Sequence, residues 1–581
     1  MKKPYTDEKH VLILIALLKA HGITRVVASP GSANSSFVVS LQNDPYFEMY
    51  SAVDERSAAY MACGLAAEVD EPVIITCTGA TASRNYLPAL TEAYYRKLPI
   101  LAITATQEIS KVGHHLAQVI DRSVMPADAF KMSLSLPIIK DAEDLWDCQI
   151  KTNKAILELT RSGGGPVHLN LPTSLGKFNV VDTLPEVRKI ERVTLAHTYP
   201  QLPSKKVAIF IGAHGKFSAE LTKAVEDFCE KTGAAVLCDH TSSYRGENRF
   251  SPSLLACQIN LSKVEYQPDL LIHLGEISGD YSIYKLGAKE VWRVSEDGEI
   301  RDTFRKLTYV FQMREVDFFK YYIEAIEHAP EPYYSRLAAK NEELRNSIPE
   351  FPLSNIWMAS CLAHRIPEHA TVHFAILNSL RSWNFFDMPL SVSSASNVGG
   401  FGIDGNLSSL IGASWASPNR PFYCIVGDLA FFYDMNSLGN RHVGKNLRIL
   451  LVNNGKGTEF LTYKHRNTSL GEDASKFVAA SGHFGSQSKS LVRHYAEDLG
   501  FEYLTASTKE EFSGVYEHFL KPDITDRPML FEVFTDSDDE HEAHLRICNI
   551  VPEAGPTAKS MAKKFLGDNK VAKLKRLIGD R

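Results

Sequence analysis

Along the first third of the chain, short unbroken apolar runs alternate with longer stretches of helical periodicity. Val26–Ala28, Val73–Cys77 and Ile100–Thr104 read as buried parallel strands, with Ser57–Ala67 and Tyr86–Arg96 as helices between them. That rhythm predicts a parallel sheet with helices on both faces. The block closes with Val167-His168-Leu169-Asn170-Leu171-Pro172, a strand ending in proline, and charged, proline-containing sequence to about Ser204 predicts a linker. A second α/β block opens at Lys205–Gly215, continues through Ala234–Cys238 and Leu270–Gly275, and fades by about Asn346. A third begins near Pro352, with strands at Thr371–Phe374, Tyr423–Val426 and Ile449–Val452. The expected fold class is therefore α/β, three doubly wound parallel-sheet domains at 1–185, 200–345 and 350–550, followed by a lysine-rich tail, 551–581, read as a surface helix. The first and third blocks share the same architectural pattern.

Val11–Leu18 is too short an apolar run to span a bilayer, and no cleavage-site pattern follows it; it predicts the first amphipathic helix. Composition adds little beyond this. Hydrophobic residues make up 44% of the chain and charged residues 23%, enough for several cores. The formal net charge of −6 argues against nucleic acid or an anionic membrane as the main partner. Nine scattered cysteines without a C-x-x-C pair predict reduced thiols, a cytoplasmic location and no zinc site.

The chemistry concentrates in the third block. Gly427-Asp428 directly follows one apolar strand, and Asn453-Asn454, 26 residues on, directly follows the next. Both side chains are thus expected at the carboxyl ends of parallel strands, the edge where open α/β sheets bind ligands. A carboxylate and an amide oxygen suit Mg²⁺, which takes hard oxygen ligands and retains phosphate oxygens in its shell. Gly427, Gly455 and Gly457 let backbone approach phosphates.

This arrangement resembles the diphosphate motif of the thiamine diphosphate (ThDP) enzyme superfamily. The resemblance implies that the first block binds the cofactor's pyrimidine and the third its diphosphate. It implies Asp428, Asn454 and the Lys456 backbone carbonyl as Mg²⁺ ligands, and Gly79, Gly427, Leu429 and Phe460 as further cofactor contacts. Glu55, in Asp54-Glu55-Arg56-Ser57, takes the place of the glutamate that activates the cofactor. More narrowly, several stretches resemble the menaquinone-pathway 2-succinyl-5-enolpyruvyl-6-hydroxy-3-cyclohexene-1-carboxylate synthases. They are Ser29-Pro30-Gly31-Ser32, Asp54–Ala59, Asn85–Tyr95, Gln118 with Ile120-Asp121, Asn378-Ser379-Leu380, Gly402-Ile403-Asp404-Gly405, and Gly427-Asp428-Leu429 with Tyr433-Asp434. By that likeness Ile403 props ThDP in a bent conformation, and Gln118 belongs to the catalytic set.

The chain departs from that family where the family carries arginines for substrate carboxylates: Ala33, Gln107, Trp383 and Val398 stand at those places. Ser32, Arg381 and Trp383 remain as candidate substrate contacts, Arg381 being either a replacement carboxylate clamp or a surface residue. His114-His115 and Glu459 resemble the proton-transfer groups of simple 2-oxo-acid decarboxylases. In the middle block, Ile211-Gly212-Ala213-His214-Gly215 lacks a dinucleotide fingerprint, so a structural turn is expected there and FAD is not.

The resemblance implies that the cofactor's carbanion adds to the ketone of a small 2-oxo acid and that carbon dioxide leaves. Two outcomes stay open: ligation of the enamine to a carbonyl or enone acceptor, or its protonation to an aldehyde. A non-catalytic ThDP-fold scaffold or sensor is a third reading, and a nicotinamide- or nucleotide-binding protein a fourth that lacks its motifs. The resemblance further implies a homodimer or homotetramer with active sites at the subunit interface.

Overall fold

The computed structural model describes residues 5–174, 179–203, 206–326, 332–461, 476–482 and 488–551; the Phe460 side chain and the basic tail beyond Val551 lie outside this description. The chain divides into two compact units, 1–199 with 295–313, and 200–294 with 314–581. Its core is three parallel sheets covered by helices, the α/β architecture expected from the apolar rhythm.

The first unit holds six parallel strands: β1 (Arg25–Ala28), β2 (Glu48–Ser51), β3 (Val73–Cys77), β4 (Ile100–Thr106), β5 (Met132–Ser135) and β6 (Val167–Pro172). Their order across the sheet is β2-β1-β3-β4-β6-β5. Strand β3 is buried along its whole length, which is why it reads as a nearly unbroken apolar run. Strand β6 is buried just as fully although it alternates, its His168 being satisfied by Thr104 Oγ1 at 2.7 Å and Ser133 Oγ at 2.8 Å. Helix α1 (Lys9–Ala20) forms where expected, but it is not amphipathic: every residue from His10 to Leu18 is buried, against the helix Ala142–Glu158 among others. A helix apolar all round is one with no solvent face. The expected linker is not featureless either. Val180–Val181 pairs antiparallel with Tyr5–Thr6, and Glu191–Val193 pairs parallel with Leu307–Phe311.

The second unit holds two sheets. Five strands come from the middle block: β7 (Val207–Ile211), β8 (Ala235–Cys238), β9 (Arg249–Phe250), β10 (Leu270–Leu274) and β11 (Glu290–Val294), in the order β9-β8-β7-β10-β11. Six come from the third block: β12 (Thr371–Phe374), β13 (Ser393–Ser396), β14 (Phe422–Gly427), β15 (Leu447–Asn453), β16 (Glu502–Ala506) and β17 (Met529–Phe534). They run β13-β12-β14-β15-β17-β16, the same relative order as the first unit's sheet. The two sheets are tied by buried polar bonds. His240 N donates to Asn384 Oδ1 at 3.1 Å, Ser251 Oγ to Asn384 O at 2.6 Å, and Gln258 Nε2 to Ile547 O at 2.9 Å. All seven residues of β15 are buried, and each large apolar side chain so placed contributes about 1.5–3 kcal/mol relative to exposure. The carboxyl end of β15 is therefore a rigid platform.

Candidate active site

In the third block's sheet the chain reverses its winding between neighbours β12 and β14. That switch point opens a crevice at the strands' carboxyl ends. A cavity of about 200 Å³ lies there, walled by the loop after β12, by Ile403, by Gly427-Asp428-Leu429 after β14, and by Asn454, Lys456 and Glu459 after β15. The strand register explains the meeting: Gly427 is paired with Val452, so both turns leave the sheet at one level.

Asp428 is the first residue of helix α2 (Asp428–Asp434) and is 5% exposed. Leu429 N donates to its Oδ1 at 2.8 Å, and Gly455 N to its Oδ2 at 2.6 Å. Burial nevertheless pushes its carboxyl up to about 6, with backbone hydrogen bonds opposing that rise. A buried carboxylate of this kind suits a divalent cation, which takes hard oxygen ligands. Gly427 has ordinary backbone angles (φ −80°), yet a Cβ there would meet no atom within 4 Å: it would project into open space at the cavity wall. Gly455 is different; its φ of +78° is a left-handed turn that favours glycine. A buried carboxylate, an open cradle beside a glycine and a tight turn of backbone together fit a metal-bound diphosphate.

The two asparagines divide the work. Asn453 is 5% exposed and donates to Glu532 Oε1 at 2.7 Å, fixing the end of β15 to β17. Asn454 lines the cavity, and its Oδ1 accepts from Lys456 N at 3.4 Å. Ile403 also lines the cavity while packing on the adjacent apolar core, with its carbonyl held by Asn406 Nδ2 at 2.8 Å.

Glu459 borders the same cavity. The Asn378 amide, with its nitrogen turned toward Glu459, donates to Oε2 at 2.7 Å and accepts from Glu459 N at 3.0 Å. Arg381 binds the other oxygen through Nη1. Arg381 is thus not a surface residue: it is 6% exposed, and the Tyr281 ring covers its guanidinium, 4.5 Å from the ring centroid. A guanidinium so engaged acts on the cavity through Glu459. Trp383, expected beside the substrate, is instead a core residue. It is fully buried, packs on Phe374 and donates from Nε1 to Asn355 Oδ1 at 3.2 Å. Its position two residues past Arg381 on a single helical turn directs it away from the cavity-facing pair.

The first unit carries the other candidate residues at the same edge of its own sheet. Glu55 opens the helix Glu55–Val69 and is half-buried, capped by Asp54, which accepts from Arg56 N at 3.3 Å and Ser57 Oγ at 2.6 Å. Asn85 Nδ2 donates to Glu55 Oε2 at 3.4 Å. Gly79 lies after β3; a Cβ there would press on Ala105 O at 3.1 Å and Gln118 O at 3.2 Å, so the glycine permits a close backbone approach. Gln118, His114 and His115 are exposed on the segment after β4, with His115 and Gln118 at left-handed φ of 55° and 62°. Ser32 is exposed, and its carbonyl accepts from Ser35 Oγ at 2.7 Å.

One cavity residue has no sequence signal. Glu540 sits in the acidic stretch 536–542, which reads as a solvated helix start, yet it lines the cavity. It accepts from Asn355 N at 3.0 and 3.1 Å, and burial pushes its carboxyl up to about 7. In the middle block, Gly212 is a packing residue: a Cβ there would lie 1.9 Å from Glu276 O. His214 bonds Glu315 Oε2 at 3.0 Å.

Residues 10–125 match the family model described as thiamine pyrophosphate enzyme, N-terminal TPP binding domain. Over 553 residues the chain is 32% identical to the 2-succinyl-5-enolpyruvyl-6-hydroxy-3-cyclohexene-1-carboxylate synthase of Bacteroides fragilis, covering 91% of this chain and 97% of that one. The synthase of Bacteroides thetaiotaomicron is 32% identical over 91% of this chain and 96% of its own. That of Flavobacterium psychrophilum is 27% identical over 89% and 97%. With the cavity, its acidic platform and these likenesses together, the chain belongs to the 2-succinyl-5-enolpyruvyl-6-hydroxy-3-cyclohexene-1-carboxylate synthase family of thiamine diphosphate enzymes.

Proposed function

We propose that this enzyme, with Mg²⁺ and ThDP, decarboxylates a small 2-oxo acid and joins the remaining acyl unit to a carbonyl or enone acceptor, as a cytoplasmic homodimer or homotetramer. The observation that carries this reading is the switch-point cavity, where Asp428, Asn454 and Lys456 converge beside Ile403. Asp428, Asn454 Oδ1 and the Lys456 carbonyl would hold the metal, and Gly427 would leave room for the diphosphate. ThDP, when bound, supplies the nucleophilic carbon and the electron sink for loss of carbon dioxide.

The remaining work falls to the protein. Glu55, at the positive end of its helix, would hydrogen-bond the pyrimidine ring and so help activate the cofactor. Ile403, packed on the adjacent apolar core, would brace the bound cofactor. Glu459, held by Arg381 and Asn378, faces the cavity as a carboxyl group able to relay a proton. Gln118, His114 and His115 approach from the pyrimidine-binding unit of a second copy. Exposed Val53, Tyr60, Met61 and Tyr95 on the Glu55 side of that unit support such pairing, since large apolar side chains in clusters mark interaction surfaces.

Mass spectrometry of the products tests the ligation step. The enzyme is incubated with ThDP, Mg²⁺ and a 2-oxo acid, with and without an enone or aldehyde acceptor. Carbon dioxide release coupled to a longer carbon chain is expected. Aldehyde formed at the same rate without acceptor would make this a simple decarboxylase and assign the protonation to His114 and His115. Cofactor binding without turnover on any 2-oxo acid would make the protein a scaffold.

A further inference from the structure

A second cavity, of about 320 Å³, lies wholly within the first unit, at the carboxyl ends of β4, β5 and β6. Arg122 forms part of its wall and is 4% exposed. Its Nη2 donates to Ala105 O at 2.9 Å; among the described residues its Nε and Nη1 have no hydrogen-bond partner. An Arg side chain offers five N–H donors and cannot shed its charge in a protein, so a buried guanidinium with one acceptor is a costly arrangement.

Among the described residues no carboxylate pairs with it. Burial lowers the guanidinium's affinity for its proton; Cys77 opposes that and the like charge of Arg84 adds to it. The acids on the same wall are engaged elsewhere. Glu108 pairs with Lys140 at 3.2 Å, Asp144 accepts from Lys140 N at 3.0 Å, and Asp121 accepts from Ser123 N at 2.8 Å and Ser123 Oγ at 2.6 Å. Across the cavity stands Lys151, paired with Asp147 at 2.7 Å. Asn170 completes the wall with an unpartnered Oδ1, while its Nδ2 reaches Ser135 Oγ at 3.3 Å.

We infer that this cavity binds a small oxyanion, with Arg122 as its charged anchor and Lys151 at its rim. A carboxylate is the chemistry that best matches an unsatisfied guanidinium beside an amide, and a phosphate presents the same acceptor oxygens. The site goes beyond the proposed reaction: it is built by the first unit alone and needs neither cofactor nor metal.

Isothermal titration calorimetry of the full chain, free of ThDP and Mg²⁺, tests it with succinate and, separately, inorganic phosphate as probes. Saturable binding of succinate with a Kd below about 1 mM is expected, weakened at least tenfold, or about 1.4 kcal/mol, in Arg122→Met. Phosphate bound tightly in place of succinate, with the same loss in Arg122→Met, would keep the site and make its ligand a free inorganic anion. Circular dichroism checks that the variant folds. If it does not, Lys151→Met, at the cavity rim, provides the comparison and should weaken binding at least twofold. No heat from either probe at about 10 mM, or equal affinity in the folded variant, overturns the assignment. Because no turnover is read, that result leaves the proposed reaction untouched, and a failure of that reaction leaves this site untouched.

Discussion

Arg381 and Glu459 form an ion pair in which the arginine side chain is 6% exposed and the glutamate 15%. The pair lies on the border between interior and cavity, with Tyr281 over the guanidinium and Asn378 on the far oxygen. Removing one member of a buried pair leaves an uncompensated charge, which destabilises by about 3–5 kcal/mol. Arg381→Met is therefore expected to lower the urea midpoint clearly and to cut kcat more than it raises KM. Arg381→Lys, which keeps the charge but loses the planar fork, should fall between. A midpoint unchanged in Arg381→Met would show that the pair contributes nothing to the fold.

Asp428 accepts backbone N–H groups on both of its oxygens. Asp428→Asn removes the charge and turns an amide nitrogen toward one of those donors. The expected result is a stability loss of about 1–3 kcal/mol from the unmet N–H. Mg²⁺-dependent ThDP binding should weaken at least a hundredfold by calorimetry. Full Mg²⁺-dependent affinity in the variant would remove Asp428 from the metal site.

Glu540 gives a pH test. Its ordinary carboxyl value is 4.5, and burial pushes it up to about 7 in the fold. Between those values the folded chain binds more protons than the unfolded one, so this group's contribution favours the fold at low pH and is lost as pH rises toward 7. Glu540→Gln cannot titrate. In metal-free urea denaturation, the stability difference between Glu540→Gln and the parent chain should shift in the variant's favour from pH 5 to pH 8. Parallel profiles would place the Glu540 carboxyl in ordinary water-like surroundings.

If Glu55 and Asp428 of one site come from different copies, two inactive variants complement each other. Mixing equal amounts of Glu55→Ala and Asp428→Ala through a denaturation–renaturation cycle yields mixed dimers with one intact site. Random pairing then restores about a quarter of the parent activity. No recovery, with dimers confirmed by mass, would place both residues of a site in the same copy.

Much of this site was legible in the sequence because its parts lie at strand ends. Val73–Cys77 and Thr371–Phe374 are strands with the bounds their sequence suggests, since short runs of mostly apolar or β-branched residues end where the turns begin. Gly427-Asp428 and Asn453-Asn454 could be placed at one edge for the same reason. Side-chain direction was not legible. Arg381 and Trp383 are two residues apart on one short helix, yet one reaches the cavity's glutamate and the other fills the core. Nor did sequence distinguish Asn453, which braces β17, from Asn454, which faces the cavity. Glu540 was hidden because its acidic neighbours resemble any solvated helix start, and only tertiary packing buries it. The buried Arg122 was hidden likewise: its local sequence, Asp121-Arg122-Ser123, reads as a polar loop.

The central claim is that this chain carries out thiamine diphosphate chemistry through Glu55. The most direct measurement is carbon dioxide release from a panel of 2-oxo acids, with ThDP and Mg²⁺, by the parent enzyme and by Glu55→Ala in parallel. The expected result is release from at least one acid by the parent enzyme and a loss of at least a hundredfold in a Glu55→Ala variant that stays folded by circular dichroism. Undiminished release by Glu55→Ala, or none from any acid by the parent with or without acceptor, would contradict it.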